Sequence, residues 1–588
     1  MRKQKKGAGR KPAAKKTRKK RRPARTGPGS APAPPAALPV PSSATESIAD
    51  ILGQAALALD SGRPRDAFAL CGKVLARQPD NAEALNLAGV AAFQFGDAAE
   101  ARSLLETAIA FRPGFADALN NLGNVLKATG DLEGAEARYR EAAAARPGNL
   151  DAEFNLGIAL EAQGRFAEAE ASYRRCIGFE PGSQSQAGAA HFNLGNVLKA
   201  LSRLEEARGA YRRCLDIHPG QAEALNNLGT VEMELGRLAD AIHCFQGAIG
   251  ENPGFADAHY NLGIALQDTD ELEEAIKSYR KALDCDPGHA GAQTNIGYAL
   301  NEMGRLDDAV KAYKRAIDMA PGYDKVRANL GDVYLKQGKA EAALGLCNDY
   351  LKDNPGNISM LAFKAIVLEE LGRREGVREL YDFDRLLRPV RHSAPPSGHG
   401  DFADMAAFNK AVSDHVLGHP SLAQAPKSFA TRFGRHSGEL LAEPKGPIAA
   451  FEGLVMQAVE DYRRAVPPDP DHPFLARRPE RLGLSVWGVA MDSQGHQLAH
   501  IHPSAWLSGV YYAQIPAVIG AADPGHAGWI EFGRAPYDFH ATIEPEVRLI
   551  MPEEGLMVLF PSYFYHRTVP FESEDVRISI AFDVMAID

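Results

Sequence analysis

A strict 34-residue spacing of prolines and glycines constrains the fold of this 588-residue chain more than any other feature. The prolines fall into two sets joined by one step of 38 residues: Pro79, Pro113, Pro147 and Pro181, then Pro219, Pro253, Pro287, Pro321 and Pro355. The glycines keep the same spacing, with one step of 38 residues at the same place: Gly89, Gly123, Gly157, Gly195, Gly229, Gly263, Gly297 and Gly331. A period of this length predicts an array of equal structural units, each packed against its neighbours.

One unit, ADALNNLGNVLKATGDLEGAEARYREAAAARPGN at 116–149, shows how such a unit folds. Three leucines with the spacing LxxLxxxL form the apolar stripe of a first helix, and TGD interrupts the chain after it. A second stripe contains Tyr139 and ends before Pro147, since proline cannot continue a helix. Gly123 and Ala135 are small where the two helices must approach closely. Each unit is therefore predicted to be a helical hairpin.

The period, the small residues and the helix breakers together are typical of tetratricopeptide repeats. About ten such repeats are predicted over 48–387, stacked into an α-superhelix whose concave face binds peptides or helices. All six cysteines lie in this segment and none is part of a CxxC pair, so we expect small buried thiols in a reduced compartment, the cytoplasm. No apolar run reaches the roughly 20 residues that a membrane span needs.

An asparagine precedes the repeat glycine by two residues in seven units: Asn121, Asn155, Asn193, Asn227, Asn261, Asn295 and Asn329. A primary amide offers a donor and an acceptor, which matches a peptide backbone unit, so these side chains are predicted to line a groove that holds an extended peptide or protein. The NNLG, FNLG and YNLG motifs resemble the superhelix of O-linked N-acetylglucosamine transferase, where an asparagine ladder holds extended substrate chains. The alternative is that the asparagines cap or bridge neighbouring helices. Nothing in the last 200 residues resembles the catalytic part of that transferase.

The first 47 residues form a basic tail rich in proline and alanine. Residues 1–45 hold fourteen Lys and Arg and no acid, which leaves 52 basic against 75 acidic residues in the rest of the chain. Like charges repel and this composition cannot bury a core, so the tail is predicted to be disordered. It could contact nucleic acid or another anionic surface, or simply be a solvated start. The acidic body itself is a poor general nucleic-acid binder.

The repeat ends before 388, where the composition changes. A linker is predicted at 388–400, followed by the helical patterns ADMAAFNKAVSDHVLGH and PIAAFEGLVMQAVEDYRRAV. Short segments rich in β-branched and aromatic residues come next: LSVWGVAMD, WLSGVYYAQI, GWIEFGR, LMVLFPS and VRISIAFDV. Several short strands of this kind favour a sandwich or a jelly roll over 401–588.

Two of these strand segments contain histidines. His500 and His502 are two residues apart in AHIHPSAWLSGVYY, so on a strand both side chains point to one face. His566 ends the apolar run FPSYFYHRTVP, and Arg577 begins RISIAF. Three imidazoles that converge in the mouth of a β-barrel can form a facial metal site, and a nearby guanidinium can bind a carboxylate through two hydrogen bonds.

These segments resemble the 2-oxoglutarate/Fe(II)-dependent oxygenases of the double-stranded β-helix fold, in a subgroup with an HxHP…LSGVYY segment. The matching pieces are HIHPSAWLSGVYY, GLMVLFPSYFYHRTVP and RISIAFDV, preceded by FNKAVSDHVLGHPSL and ATRFGRHSGELL. The resemblance covers about 390–588. It implies a multidomain α + β protein: a tetratricopeptide α-superhelix followed by a double-stranded β-helix, or jelly-roll, domain.

The resemblance also implies a ligand set. His500 and His566 match the iron ligands, and Arg577 with Ser579 matches the group that binds the far carboxylate of 2-oxoglutarate; Tyr511 could also reach the oxoacid. Fe(II) is the implied cofactor, and 2-oxoglutarate and O₂ are the implied co-substrates.

The sequence departs from the family pattern at one ligand position. His502 stands where most relatives carry Asp or Glu, so the metal could have three histidine ligands, or two histidines and water. A neutral imidazole brings no negative charge to Fe(II).

The leading hypothesis is a dioxygenase that hydroxylates a protein or peptide side chain presented by the repeats. The same chemistry on a small molecule or glycan is an alternative. A repeat scaffold with a degenerate oxygenase domain is another, supported by the missing carboxylate ligand.

Overall fold

The computed structural model describes residues 46–178, 184–396, 402–425, 429–442, 444–476 and 478–587. The predicted basic tail lies outside these residues except for its last two, 46 and 47. The chain divides into two compact units, one ending at Phe111 and the other beginning at Arg112. The first contains two helical hairpins: α1 (Ile48–Asp60), α2 (Pro64–Leu75), α3 (Ala82–Gln94) and α4 (Ala98–Phe111).

The second unit continues the hairpins with one first helix and one second helix per repeat. The first helices are α5 (Ala116–Ala128), α7 (Leu150–Ala162), α9 (Gln184–Ala200), α11 (Ala222–Glu234), α13 (Ala256–Asp268), α15 (Ala290–Glu302), α17 (Asp324–Lys336) and α19 (Ile358–Glu370). The second helices are α6 (Leu132–Ala145), α8 (Phe166–Gly178), α10 (Leu204–Ile217), α12 (Leu238–Glu251), α14 (Leu272–Cys285), α16 (Leu306–Met319), α18 (Ala340–Asp353) and α20 (Arg374–Leu380), with the short α21 (Phe383–Leu386) after them. Successive first helices contact one another from α5 to α19, which places them on the inner side of the superhelix.

The repeat glycines hold the two helices of a hairpin close together. A Cβ atom on Gly123 would lie 2.5 Å from the ring of Tyr139, and the same clash would arise between Gly297 and Tyr313. Both tyrosines are fully buried. The predicted need for a small residue here is confirmed, because the side chain of the second helix fills the space that a larger residue would need.

The C-terminal part of the second unit combines two helices with two antiparallel sheets. The helices are α22 (Met405–Gly418) and α23 (Ile448–Ala465). The strands are β1 (Arg388–Arg391), β2 (Ala423–Gln424), β3 (Thr431–His436), β4 (Leu482–Gln497), β5 (Leu507–Gln514), β6 (Ile530–Phe532), β7 (Arg548–Ile550), β8 (Leu556–Pro561), β9 (His566–Thr568) and β10 (Arg577–Ala586). The larger sheet has the order β1-β8-β5-β10-β4-β3-β2, and the smaller has the order β7-β6-β9. The predicted α + β architecture is confirmed.

The two faces of the larger sheet have different neighbours. Tyr511 and Phe582 point to the face that α23 covers, where the ring of Phe451 lies 5.4 Å from that of Tyr511 and 6.2 Å from that of Phe582. Side chains alternate along a strand, so Tyr512 and Asp583 point to the opposite face. That opposite face carries the candidate site.

The segment predicted as a linker is not one throughout. Its first residues, Arg388–Arg391, form an edge strand that pairs with β8 from Leu556 to Leu559. An edge strand needs main-chain hydrogen bonds rather than an apolar pattern, so RPVR gave no strand signal. The last part of this segment lies outside the described residues.

The six cysteines are free thiols, and the expectation that all are buried is wrong for one of them. Cys285 is exposed because it ends α14 at the repeat boundary, whereas the other five are buried. Within the described part of the chain, no helix combines the length and the apolar character needed to cross a membrane.

Candidate metal centre

Three histidines converge on the face of the larger sheet opposite α23. His566 begins β9, His500 forms a single β-bridge with it, and His502 lies in the loop that follows. His500 and His566 exchange two main-chain hydrogen bonds of 3.1 Å, which fixes their backbones side by side. The main-chain N–H of His502 donates to the carbonyl oxygen of Ser562, the residue that follows β8, at 3.1 Å. One ring nitrogen from each of His500, His502 and His566 lies within 4.8 Å of the others. The structure thus brings together the three histidines that were predicted to bind a metal.

Hydrogen bonds orient all three imidazoles in the same way. The Nδ1 of His500 lies 2.7 Å from the carbonyl oxygen of Leu498, and the Nδ1 of His566 lies 3.0 Å from that of Phe564. The Nδ1 of His502 lies 2.9 Å from a carboxylate oxygen of Asp583. Because each Nδ1 faces an acceptor, it carries the proton, and each Nε2 keeps a lone pair available for a metal.

Burial keeps two of these imidazoles, those of His500 and His566, neutral. It lowers the pKa of His500 to about 3, with a further contribution from the neighbouring His502. Burial also holds the pKa of His566 well below its usual value, and His500 and His502 act in the same direction. Metal ligation requires the neutral form, so the lowered pKa values of His500 and His566 leave both rings able to bind a metal at neutral pH.

Asp583 places a carboxylate behind His502. Its Oδ2 accepts from His502, and its Oδ1 accepts from the hydroxyl of Ser508 at 2.7 Å. The hydroxyls of Ser508 and Ser562 lie 2.8 Å apart and connect β5 to the end of β8. A carboxylate behind a ligating imidazole fixes its tautomer and raises its basicity. No sequence motif indicates this contact, because Asp583 is 81 positions from His502.

Replacing Asp583 with asparagine should weaken metal binding about 10- to 100-fold, the usual cost of losing an outer partner of a ligating histidine. The amide keeps the size of the side chain but removes the charge that His502 faces. Titration with Co(II), followed by its visible absorption, measures the change. Asp492→Asn, at an exposed acid of β4, is the matched control, and equal affinities for the two variants would contradict this role.

The guanidinium of Arg577 is buried without a full set of partners. Arg577 is 2% exposed and lies on the same face of β10 as Ser579 and Asp583. Its Nε and Nη1 have no hydrogen-bond acceptor among the described residues, and its Cζ lies 5.1 Å from the ring centre of Tyr512. A buried cation with unused donors is costly unless an anion binds it, and two donors on one guanidinium match a carboxylate.

The structure does not bring Tyr511 to this site. Its hydroxyl donates to Asn409 of α22, on the other face of the sheet. Tyr512 is the tyrosine beside Arg577, because successive side chains of β5 alternate and a bulge opposite Ile578 and Ser579 sets the register. The expectation that Tyr511 contacts the oxoacid is wrong.

The repeat asparagines take part in contacts between neighbouring first helices. The Nδ2 atoms of Asn155 and Asn261 donate to the side-chain oxygens of Asn120 and Asn226, respectively, each at 3.0 Å. The Nδ2 of Asn227 donates to Asn196 at the same distance. These bonds match the bridging alternative. All seven asparagines remain half-buried rather than enclosed, so their role in a groove stays a prediction.

The loop 533–547 between β6 and β7 lies against the inner helices of the last repeats. The main chain of His540 donates to Asp332 of α17 at 2.6 Å, and the rings of Phe539 and Phe363 are 5.5 Å apart. At its other end the loop leads to β6, in which Phe532 is paired with His566. The repeats therefore contact a segment that leads directly into the smaller sheet, to which His566 belongs.

Comparison with known proteins gives the same two parts. Residues 485–583 match the family described as "Putative 2OG-Fe(II) oxygenase", and this range contains the three histidines and Arg577. Tetratricopeptide-repeat families match 58–122, 92–142, 120–185, 181–250, 226–290, 278–311 and 300–367. The chain thus combines tetratricopeptide repeats with a C-terminal region that matches this oxygenase family.

Solved structures similar to this chain match part of it. MamA is 25% identical over 28% of this chain and 95% of its own, with a TM-score of 0.27. YrrB, described as a TPR protein with an unusual peptide-binding site, is 26% identical over 32% of this chain and 95% of its own, with a TM-score of 0.29. A chain of the APC/C hetero-tetramer Cut9–Hcn1 is 17% identical over 48% of this chain and 55% of its own, with a TM-score of 0.34. No curated protein matches the chain.

Proposed function

We propose that this chain is a 2-oxoglutarate- and Fe(II)-dependent dioxygenase that hydroxylates a side chain of a protein or peptide held by the repeats. The observation that carries the proposal is the set of three Nε2 lone pairs, which face one another because every Nδ1 has an acceptor. Imidazole nitrogen is a suitable ligand for iron, and a one-sided set leaves coordination positions open.

The donor set and the buried cation fit the two groups that the family implies. His500, His502 and His566 would hold Fe(II), and Arg577 would bind the far carboxylate of 2-oxoglutarate. Ser579, buried two residues further along the same face, would line the oxoacid pocket. Bound together, Fe(II) and 2-oxoglutarate supply the activation of O₂ that hydroxylation requires.

The chain's own residues prepare this site in three ways. The main-chain carbonyls of Leu498 and Phe564 hold the imidazoles of His500 and His566 in the ligating orientation. Asp583 places a negative charge behind the ligand His502, where relatives have a carboxylate bound to the metal itself. The apolar neighbours Val489, Met491, Ile519 and Phe571 form a cluster on the same side of the sheet, which limits the access of water. An intact hydrogen-bonded Asp583 favours a working centre over a degenerate one.

The loop 533–547 supports a polypeptide as the partner of the repeats. Its docking on α17 and α19 means that the inner helices already bind one segment of polypeptide in this protein. The domain boundaries at 47/48, 387/388 and 400/401, and the cytoplasmic location, stay predictions.

The test of the proposal is succinate formation. With Fe(II), 2-oxoglutarate and O₂ present, the full chain should release succinate, and peptides of a random dodecapeptide library should gain 16 Da. Omission of either Fe(II) or 2-oxoglutarate is the control, and it should stop both products. Succinate no higher than in these controls would overturn the oxygenase, whereas succinate without a modified peptide would move the substrate to another class.

A further inference from the structure

Buried N–H groups without acceptors surround Tyr462 of α23, whose hydroxyl donates to the carbonyl oxygen of Leu386 at the end of the repeats. They are Nε and Nη2 of Arg478, Nε of Arg388 and Nε1 of Trp506, and none has a hydrogen-bond acceptor among the described residues. The ring of Trp506 lies 6.4 Å from that of Tyr462. Burial raises the pKa of the Tyr462 hydroxyl, and the charges of Arg478 and Arg388 oppose this rise, so both guanidinium groups lie near it. Arg388, Arg478 and Trp506 are called the donor cluster below.

Each member of the donor cluster is held by other contacts. Arg388 begins β1, which pairs with β8. Arg478 lies between α23 and β4, and its Nη1 donates to the carbonyl oxygen of Arg463 at 2.9 Å. Trp506 is 8% exposed, its main-chain N–H donates to Val584 at 2.9 Å, and its ring stacks on that of Phe474 at 5.6 Å. The unused donors are therefore positioned before any ligand binds.

The positive charge of the donor cluster is not neutralised within the described part of the chain. Neither Arg388 nor Arg478 forms an ion pair with a described carboxylate, whereas their neighbour Arg385 binds Asp469 at 2.9 Å. Burial lowers the pKa of Arg478, and the charges of Arg463 and Arg385 act in the same direction. A partly buried cation with unused donors is costly unless an anion binds it, so the cluster favours an anionic ligand.

The number and kind of the donors indicate which anion fits. Nε and Nη2 form one edge of the Arg478 guanidinium, and the two parallel hydrogen bonds from such an edge match two oxygens of one anion. A carboxylate has only these two oxygens, whereas a phosphate has further oxygens for the donors of Arg388 and Trp506. A phosphate group carries a charge of roughly −1.5 to −2 at pH 7, which balances two guanidinium groups. Because the donor atoms are enclosed, a free ion fits better than the phosphate of a large molecule.

We propose that Arg388, Arg478 and Trp506 bind inorganic phosphate or a free oxyanion of the same shape. The ion joins β1, at the end of the repeats, to the segment after α23 and to the start of β5. Trp506 also follows the turn that starts at a metal-site histidine, since the N–H of Ala505 donates to the carbonyl oxygen of His502 at 3.1 Å. Phosphate therefore stabilises the junction between the repeats and the C-terminal sheets. The site is separate from Arg577, which lies on the face of the larger sheet opposite α23.

Calorimetry and thermal melts test the site on the full chain, in a buffer free of phosphate and sulfate and without iron or 2-oxoglutarate. Phosphate should bind with a measurable heat and raise the melting temperature above that in sodium chloride of equal ionic strength. Sulfate should act in the same way, because it is also tetrahedral. Succinate and AMP should each bind about tenfold more weakly than phosphate, since one is a carboxylate and the other is large. No response to phosphate, or tighter binding of succinate or AMP, would overturn the inference.

Two variants of the donor cluster locate the bound ion. Arg478→Met removes the charge and both donors of the edge, and it should weaken phosphate binding about 100-fold. Trp506→Phe keeps an aromatic ring but removes one donor, and it should weaken binding about tenfold. Because Arg478→Met also removes the contact with Arg463, Trp506→Phe decides the outcome if that variant does not fold.

Two controls separate this site from other cations of the chain. Arg464→Met removes an arginine of α23 that is 70% exposed and pairs with Asp461, and its phosphate affinity should stay within about threefold of the unchanged chain. Arg577→Met should also keep the response to phosphate. Loss of the response in Arg577→Met alone would place the ion in the oxoacid pocket, and equal affinities for Arg478→Met and Arg464→Met would show a general surface effect; either result would overturn the inference.

Discussion

His566→Ala should abolish iron binding. The imidazole is one of three converging donors, and it is the most deeply buried of them. Loss of a direct ligand should exceed the roughly 10- to 100-fold effect of losing an outer partner. Anaerobic calorimetry with Fe(II) and the visible absorption of bound Co(II) both measure it. The main-chain hydrogen bonds between His566 and His500 do not involve the deleted ring, so the fold should persist.

Two further variants make this result decisive. His500→Ala should behave as His566→Ala does, because both rings face the same point. His243→Ala removes an exposed histidine of α12 and should leave metal affinity unchanged. Retention of tight iron binding by His566→Ala, with a normal circular dichroism spectrum, would place the metal elsewhere.

Arg577→Met should weaken the binding of 2-oxoglutarate by tenfold or more. Charge-assisted hydrogen bonds contribute about 1.5–3 kcal/mol each, and Met offers neither the charge nor the donors. The same change should raise the melting temperature of the ligand-free protein, because it replaces a buried cation with unused donors by an apolar side chain. Calorimetry and thermal melts, each with and without 2-oxoglutarate, measure both effects.

A lysine at this position separates charge from geometry. Arg577→Lys keeps a positive charge but cannot form the two parallel hydrogen bonds, so it should recover only part of the affinity. Iron affinity should barely change in either variant. If Arg577→Met lowered the melting temperature and weakened iron binding equally, the residue would be structural rather than a carboxylate ligand.

The repeats could be predicted from the sequence because each depends on contacts within about 34 residues. Gly123 and Tyr139 are 16 positions apart, and their close packing recurs in later hairpins, so one period fixes many contacts. The contact between Glu370 and Thr542 could not be predicted in this way, because the two residues are 172 positions apart.

That the three histidines lie together could also be predicted, but the strand expected for His500 and His502 is not formed: His500 makes a single β-bridge and His502 lies in a loop. Other parts depend on distant strands. Asp583 reaches His502 only because β10 pairs with β5, and a bulge in that pairing decides that Tyr512 lies beside Arg577. The strand Arg388–Arg391 is similar, because its only structural signal is a main-chain partner more than 160 residues away.

That strand has a practical consequence for producing the oxygenase domain alone. β1 covers one side of β8, a strand with the sequence LMVLFP in which every residue is buried. A fragment that begins at 401 would expose this apolar edge, with unpaired main-chain groups that invite association between copies and precipitation. A fragment for crystallisation should therefore begin no later than Arg388.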